Sequence, residues 1–175
     1  MRHTVTALVE NSPGVLTRVA GLFSRRGFNI DSLAVGVTED PRISRMTIVV
    51  EGSEATLEQL TKQLNKLINV IKVTDLKDSE SVARELALVK IAVEPAQRAQ
   101  ITQLVDIFRG KIIDMGRQSV IVELTGDETK VDAFLNLARD FGIKEVVRTG
   151  RIAMARGMKS MEYQKEEKQN GQNIL

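Results

Sequence analysis

A strand-like run ends at Glu10 and gives way to Asn11-Ser12-Pro13-Gly14, after which Val15, Leu16, Val19, Leu22 and Phe23 recur at helical spacing. The first amides of such a helix have no partners inside it, and its dipole favours negative charge. A small carboxylate suits that end. Pro13 fits the first turn of the helix, and Gly14 removes a side chain where a ligand would approach the backbone. Asn11, and Asn29 beyond the helix, supply amides able to hold both ends of a zwitterion. Val15, Leu16 and Ile30 add apolar contact. The chemistry indicated is binding of an amino acid with an apolar side chain. Asn-Ser-Pro-Gly also serves as a plain strand-to-helix turn, so spacing alone leaves both readings open.

No catalytic constellation accompanies this loop. His3 is the sole histidine and cysteine is absent. A Ser-His-Asp triad or a multi-histidine metal site would have to be built around His3, which opens the first strand and suits an ordinary half-exposed strand position. Thiolate nucleophiles, disulfides and thiolate metal sites are excluded together. None of the motifs GxxxxGK[ST], GxGxxG or HExxH occurs. Carboxylates are plentiful but fall on helix faces and in loops. The expectation is a chain with no catalytic residue, metal or cofactor of its own.

The elements that position the loop follow from periodicity. Residues 2–9 alternate as a strand, the helix after Pro13 closes at Gly27, and Phe28 and Ile30 open a second strand whose alternation slips near Asp31-Ser32, as at a bulge. Met46, Ile48 and Val50 mark a third strand. Ser53 caps a second helix with Leu57, Leu60, Leu64 and Leu67 on one face, and Val70–Leu76 is a fourth strand. The order βαββαβ then recurs: a strand at 85–94, a helix from Pro95 to Gly110, strands at 111–115 and 119–125, a helix through Val131, Phe134, Leu135 and Ala138, and a strand at 143–148. Val9-Glu10 pairs with Val93-Glu94 in this repeat, Phe23 with Phe108, and Gly27 with Gly110. The fold class expected is α+β, two ferredoxin-like βαββαβ domains with antiparallel sheets and helices on one face. The first spans residues 1–77 and the second 83–158, joined by a polar linker near Lys77–Val82. After Arg151 no strong apolar period survives, and 159–175 reads as a solvated tail.

At 175 residues, 42% hydrophobic and 27% charged, the chain has room for two such domains. The net charge of +2 arises wholly in residues 151–175, with five Lys/Arg against three Glu. Of five Phe and one Tyr only Phe28 falls on an expected sheet strand, which disfavours a base-stacking platform and nucleic-acid binding. No apolar run approaches the ~18 residues of a membrane span. Met1 leads directly into strand-like sequence without the basic and apolar regions of a secretory signal, so a cytoplasmic location is expected.

Pro13-Gly14-x-Leu16, Phe23, Gly27 and Asn29-Ile30 resemble the signature of ACT domains, βαββαβ modules that sense amino acids. The longer run Asn11 to Leu33, with Asp40-Pro-Arg-Ile-Ser-Arg-Met-Thr-Ile, Leu88-Val-Lys-Ile, Phe108-Arg-Gly-Lys-Ile-Ile-Asp and Arg156-Gly, is similar to the small, regulatory subunit of acetolactate (acetohydroxyacid) synthase. The resemblance implies a catalytic large subunit as partner, holding thiamine diphosphate, magnesium and FAD, whose activity the small subunit raises and places under feedback inhibition by valine. It also implies a homodimer through the ACT domain with the effector at the shared interface. Asn11, Pro13, Gly14, Val15 and Leu16 would then come from one chain, and Asn29 and Ile30 from its partner. Glu94-Pro95-Ala96-Gln97 and Lys111-Ile112 replace these motifs in the second domain, which argues against a second site of the same kind there. The rival readings are a free-standing amino-acid sensor, an enzyme in its own right and a metal-carrying ferredoxin-like domain; the last lacks the cysteines it would need.

Overall fold

A computed structural model describes residues 1–161. Strand β1 (Arg2–Glu10) places Val5, Ala7 and Val9 toward the helices, while Thr4, Thr6 and Leu8 are buried on the opposite face. A strand buried on both faces belongs at a sheet centre. β1 pairs antiparallel with β3 (Ile43–Glu51) and β4 (Val70–Leu76), and β2 (Ile30–Val37) completes the order β2-β3-β1-β4. The β2–β3 register shifts between Ile30 and Ser32, so Asp31 occupies the expected bulge.

Helix α1 (Val15–Arg26) buries Val15, Val19, Leu22 and Phe23, and α2 (Glu54–Asn65) buries Leu60 and Leu64. A helix of 12 residues is marginal alone in water. Four buried apolar side chains at ~1.5–3 kcal/mol each hold α1 on the sheet. Ser53 caps α2 as expected, accepting from the Thr56 amide at 3.2 Å. Two positions depart from the sequence reading. Pro13 lies before α1 rather than in its first turn, because Gly14 takes the left-handed conformation (φ +84°) and the helix begins only after it. Phe28 precedes β2, packing edge-on against Phe23 with ring centroids 6.3 Å apart.

The second unit repeats the topology: β5 (Ser81–Ala92), α3 (Arg98–Ile107), β6 (Lys111–Met115), β7 (Ser119–Gly126), α4 (Glu128–Ala138) and β8 (Ile143–Arg148), in the order β6-β7-β5-β8. Its core gathers Val89, Ile91, Ile101, Val122, Leu124 and Phe134. The helix ends correct the repeat alignment, by one residue at Gly27 and by three at Phe23, whose counterpart is Val105 rather than Phe108. Phe28 donates its amide to Phe23 O across the left-handed Gly27, and Gly110 donates to Val105 O across Arg109, the only non-glycine residue with positive φ (+54°) among those described. Arg109, not Gly110, therefore stands where Gly27 stands. Gly110 is required for a different reason: a Cβ there would meet the Glu123 carbonyl and Val105 Cγ1 at 3.2 Å. Left-handed φ costs a side-chain-bearing residue ~1–2 kcal/mol, partly offset by the larger unfolded-state entropy of glycine. Arg109→Gly is accordingly expected to raise stability by roughly 0.5–1 kcal/mol, read as a higher urea midpoint at unchanged slope.

The expected linker and tail differ most. Asp78–Glu80 form one 3-10 turn and β5 begins at Ser81, inside the segment read as linker. Residues Ser81–Arg84 pair with β9 (Ile152–Ala155), a strand within the stretch read as lacking periodicity. Four residues with one buried side chain, Ala153, are too few to show alternation. The segment after Arg151 lies against the non-helical face of the first sheet. Arg151 donates to Thr4 Oγ1 at 2.8 Å, Arg45 to the Ala153 carbonyl at 2.7 Å, and Thr6 Oγ1 to Met161 Sδ at 3.0 Å. The remainder of the expected tail, 162–175, lies outside the described residues.

Candidate functional site

The β1–α1 loop is held from two sides. Asn11 donates its backbone amide to the Arg42 carbonyl (2.7 Å) and its side-chain amide to the Pro41 carbonyl (2.8 Å), tying the loop to the β2–β3 turn. Asn69, before β4, donates to Glu10 Oε2 at 2.6 Å and accepts from Arg18 on α1. Asn69 is a positioning residue that sequence reasoning missed, since a lone Asn ahead of a strand carries no periodic signal. Asn11 keeps its side-chain oxygen without a partner among the described residues.

The start of α1 differs from those of α2 and α4. α2 and α4 are capped by Ser53 and Asp127 and carry Glu54 and Glu128 in their first turns. α1 has neither a capping side chain nor an acidic residue in its first turn. Val15 N–H reaches Ser12 O only at 3.5 Å, Arg18 N–H reaches Gly14 O at 3.0 Å, and the Leu16 and Thr17 amides between them have no partner among the described residues. An unsatisfied, uncapped helix start with a positive dipole end can accept an anion. The side chains that flank it divide: Leu16 is half exposed (47%) and available, whereas Val15 is in the core (4%) and offers only its backbone.

The corresponding start in the second domain is closed. Glu94 accepts from the Gln97 backbone, Gln97 Oε1 accepts from the Glu94 amide at 3.2 Å, and Pro95 follows. That capping box satisfies the amides and sets a carboxylate where an anionic ligand would need to sit.

The structure brings Asn11, Pro13, Gly14, Val15 and Leu16 together and leaves Asn29 and Ile30 apart from them. α1 separates the two groups, and 12 residues at ~1.5 Å each span about 18 Å. Asn29 donates its side-chain amide to Asp31 Oδ1 at 2.9 Å, and Ile30 pairs with Val50 and packs against the core. Asp31 in turn faces Arg2, whose guanidinium also donates to Glu128 Oε1 at 2.6 Å. The Glu128 bond holds the Arg2 pKa above its ordinary value despite partial burial. An apolar groove of about 540 Å³ opens elsewhere, between β2 and the β5–β9 pair, bordered by Val35, Val37, Ile152 and Met154; it holds none of the sequence-predicted site residues. His3 Nε2 lies 3.2 Å from the Gly52 carbonyl, the setting of a strand residue rather than a base. Among the described residues no three His, Asp or Glu side chains converge to hold a metal ion, and no helix is long and apolar enough to cross a membrane.

Two βαββαβ units, the first with an open helix start after a Pro-Gly turn, have the architecture of the ACT-domain class. Residues 5–72 match the model of the acetohydroxyacid synthase small-subunit-like ACT domain, and residues 84–157 match that of the small subunit of acetolactate synthase. The chain is 58% identical over 159 residues to a protein of Archaeoglobus fulgidus described as "Probable acetolactate synthase small subunit", covering 91% of this chain and 99% of that one. It is 53% identical over 155 residues to the acetolactate synthase small subunit of Mycobacterium leprae, covering 89% and 92%. The crystal structure of the acetolactate synthase small subunit from Thermotoga maritima superposes with a TM-score of 0.85 at 47% identity, over 90% of this chain and 98% of that one. The chain belongs to the acetolactate synthase small-subunit family.

Proposed function

We propose that this chain activates a catalytic acetolactate synthase large subunit in the cytoplasm and places it under feedback inhibition by valine. Thiamine diphosphate, magnesium and FAD belong to the large subunit in this reading, and this chain contributes no catalytic group. The observation that carries it is the open start of α1, where the Leu16 and Thr17 amides await an anion that no side chain supplies. A free amino acid brings a carboxylate to those amides and an apolar side chain to Leu16.

Asn11 and Asn29 lie at opposite ends of an ~18 Å helix, so one amino acid cannot touch both within a chain. A second copy related by a two-fold axis brings the Asn29-Ile30 end of one chain to the Asn11–Leu16 loop of the other. β2 favours that pairing, because it is an unpaired sheet edge with Val35 and Val37 exposed. Sedimentation of the chain with valine is expected to show a dimer at micromolar concentration; a monomer overturns this part of the reading.

The decisive experiment combines the purified large subunit with this chain and follows acetolactate formation from pyruvate. The expected result is higher activity than the large subunit shows alone, and loss of that activity with valine. Valine shifts the holoenzyme only if it binds its active and inhibited states with different affinity. A coupling of ~1–3 kcal/mol corresponds to a ratio of about 5 to 150. Valine titrated into the free chain and into the assembled enzyme should therefore give different dissociation constants. Equal constants, or an activity indifferent to this chain, overturn the reading.

A further inference from the structure

We propose that Arg2 is a positioning residue that carries the state of Asn29 into the second domain, through Asp31 on one side and Glu128 on the other. The inference rests on the reading of Asn29 as part of the effector site. Four side chains form a continuous polar chain. Asn29 donates to Asp31 Oδ1 (2.9 Å), Asp31 Oδ2 faces Arg2 Nε (3.5 Å), and Arg2 donates to Glu128 Oε1 (2.6 Å) in the first turn of α4.

Three features make this chain a switch rather than a brace. Asp31 is the bulged residue of β2, opposed by no ladder partner, so it can move without breaking the sheet. Its neighbour Ser32 accepts from the Arg151 amide at 2.8 Å, which holds the start of β2 to the second domain while leaving Asp31 free to re-pair. The network also borders a cavity of about 340 Å³ between the domains, lined further by Glu85, Arg148 and Arg151, which leaves room for side chains to exchange partners. A ligand that draws the Asn29 amide off Asp31 leaves both carboxylate oxygens to Arg2. Bidentate pairing with Asp31 then competes directly with the Arg2–Glu128 bond at the start of α4. Ligand at one domain thereby changes the contact with the other, which is the differential interaction that coupling requires.

The test uses the reconstituted holoenzyme with valine as probe, and the variants Arg2→Met, Glu128→Gln and the two combined. Both positions are partly exposed, and exposed pairs shift affinities by no more than about fivefold. Valine binding to the free chain and activation without valine are expected to stay within that range. Each variant breaks in the free state the contact that ligand would break. The ratio of activities without and with saturating valine is therefore expected to shrink by up to about fivefold in each single variant and no further in the double variant, with Arg2→Lys recovering part of it. Full inhibition in both single variants, or additive loss in the double, overturns the relay. Loss of valine binding in Arg2→Met places Arg2 in the site itself and also overturns it. A wild-type protein indifferent to valine overturns the effector reading first, and the relay with it.

Discussion

A holoenzyme reconstituted with Gly14→Asp in this chain is expected to keep its activation and lose its inhibition by valine. Gly14 sits directly before α1 at φ +84°, with open space where a Cβ would go, so the substitution meets no steric obstacle. Among residues with side chains, Asp and Asn tolerate the left-handed region best, and the strain stays near ~1 kcal/mol. The carboxylate, however, stands beside the unpaired Leu16 and Thr17 amides, competing for them and repelling the ligand's own carboxylate. Two like charges at about 4 Å cost roughly 1–4 kcal/mol between bulk water and a partly shielded site, which weakens binding about 5-fold to several-hundred-fold. In the second domain a carboxylate, Glu94, already stands at the start of the turn that leads into α3. Gly14→Asn is the control: it has nearly the same shape and backbone strain without the charge. Valine inhibition curves for the two variants separate the causes. Asn, whose Oδ1 also accepts from those amides but brings no charge, is expected to weaken inhibition less than Asp; inhibition retained by Asp removes the α1 start from the site.

Much of this arrangement can be read from residue spacing, and what cannot has a common cause. The stripe from Val15 to Phe23 and the Leu57, Leu60 and Leu64 face define their helices because a buried face repeats every three to four residues, whereas Leu67, expected on the same face, packs against the core from beyond the end of α2. The slip at Asp31 marks the bulge because alternation has period two and one extra residue reverses it. The Asn11–Gly14 turn is visible as a set of polar and breaker residues between two periodic runs. β9 is hidden because only four residues pair, and its partner 81–84 looks polar when read without it. Arg109 at a glycine-like position is hidden because propensity argues against it. The Asn29–Asp31–Arg2–Glu128 chain is hidden for the plainest reason: residues 2 and 128 meet only once both domains are folded and joined.

That joint is also sensitive to a single methyl group, because Gly150 combines a positive φ with a close approach of neighbouring backbone. Gly150→Ala is expected to destabilise the protein by about 2–4 kcal/mol, from left-handed strain of ~1–2 and overpacking of ~1–3, less the ~0.4–1 that alanine gains in the unfolded state. Gly150 has φ +83°, and an added Cβ would lie 2.9 Å from Ser32 Oγ and 3.2 Å from the Leu33 carbonyl. Neither neighbour yields easily. Ser32 Oγ is fixed by the Arg151 amide, and Leu33 is locked in the β2–β3 ladder opposite Ile48. Relief requires the 150–151 turn to lift from β2, which also pulls on Arg151 and its bonds to Thr4 and Asp78. Gly157→Ala provides the comparison, because Gly157 has φ +71° but nothing within 4 Å of its Cβ. It carries the strain without the clash, about 1 kcal/mol. At ~2–4 °C per kcal/mol for a chain of this size, calorimetry should place the Gly150→Ala transition about 5–15 °C below wild type and the Gly157→Ala transition only a few degrees below. Equal shifts for the two variants would show that the turn at 150 is not clamped between the domains, because the clash term would then be missing. Loss of a single transition in favour of two, in Gly150→Ala alone, would show instead that the joint is what makes the two βαββαβ units unfold together.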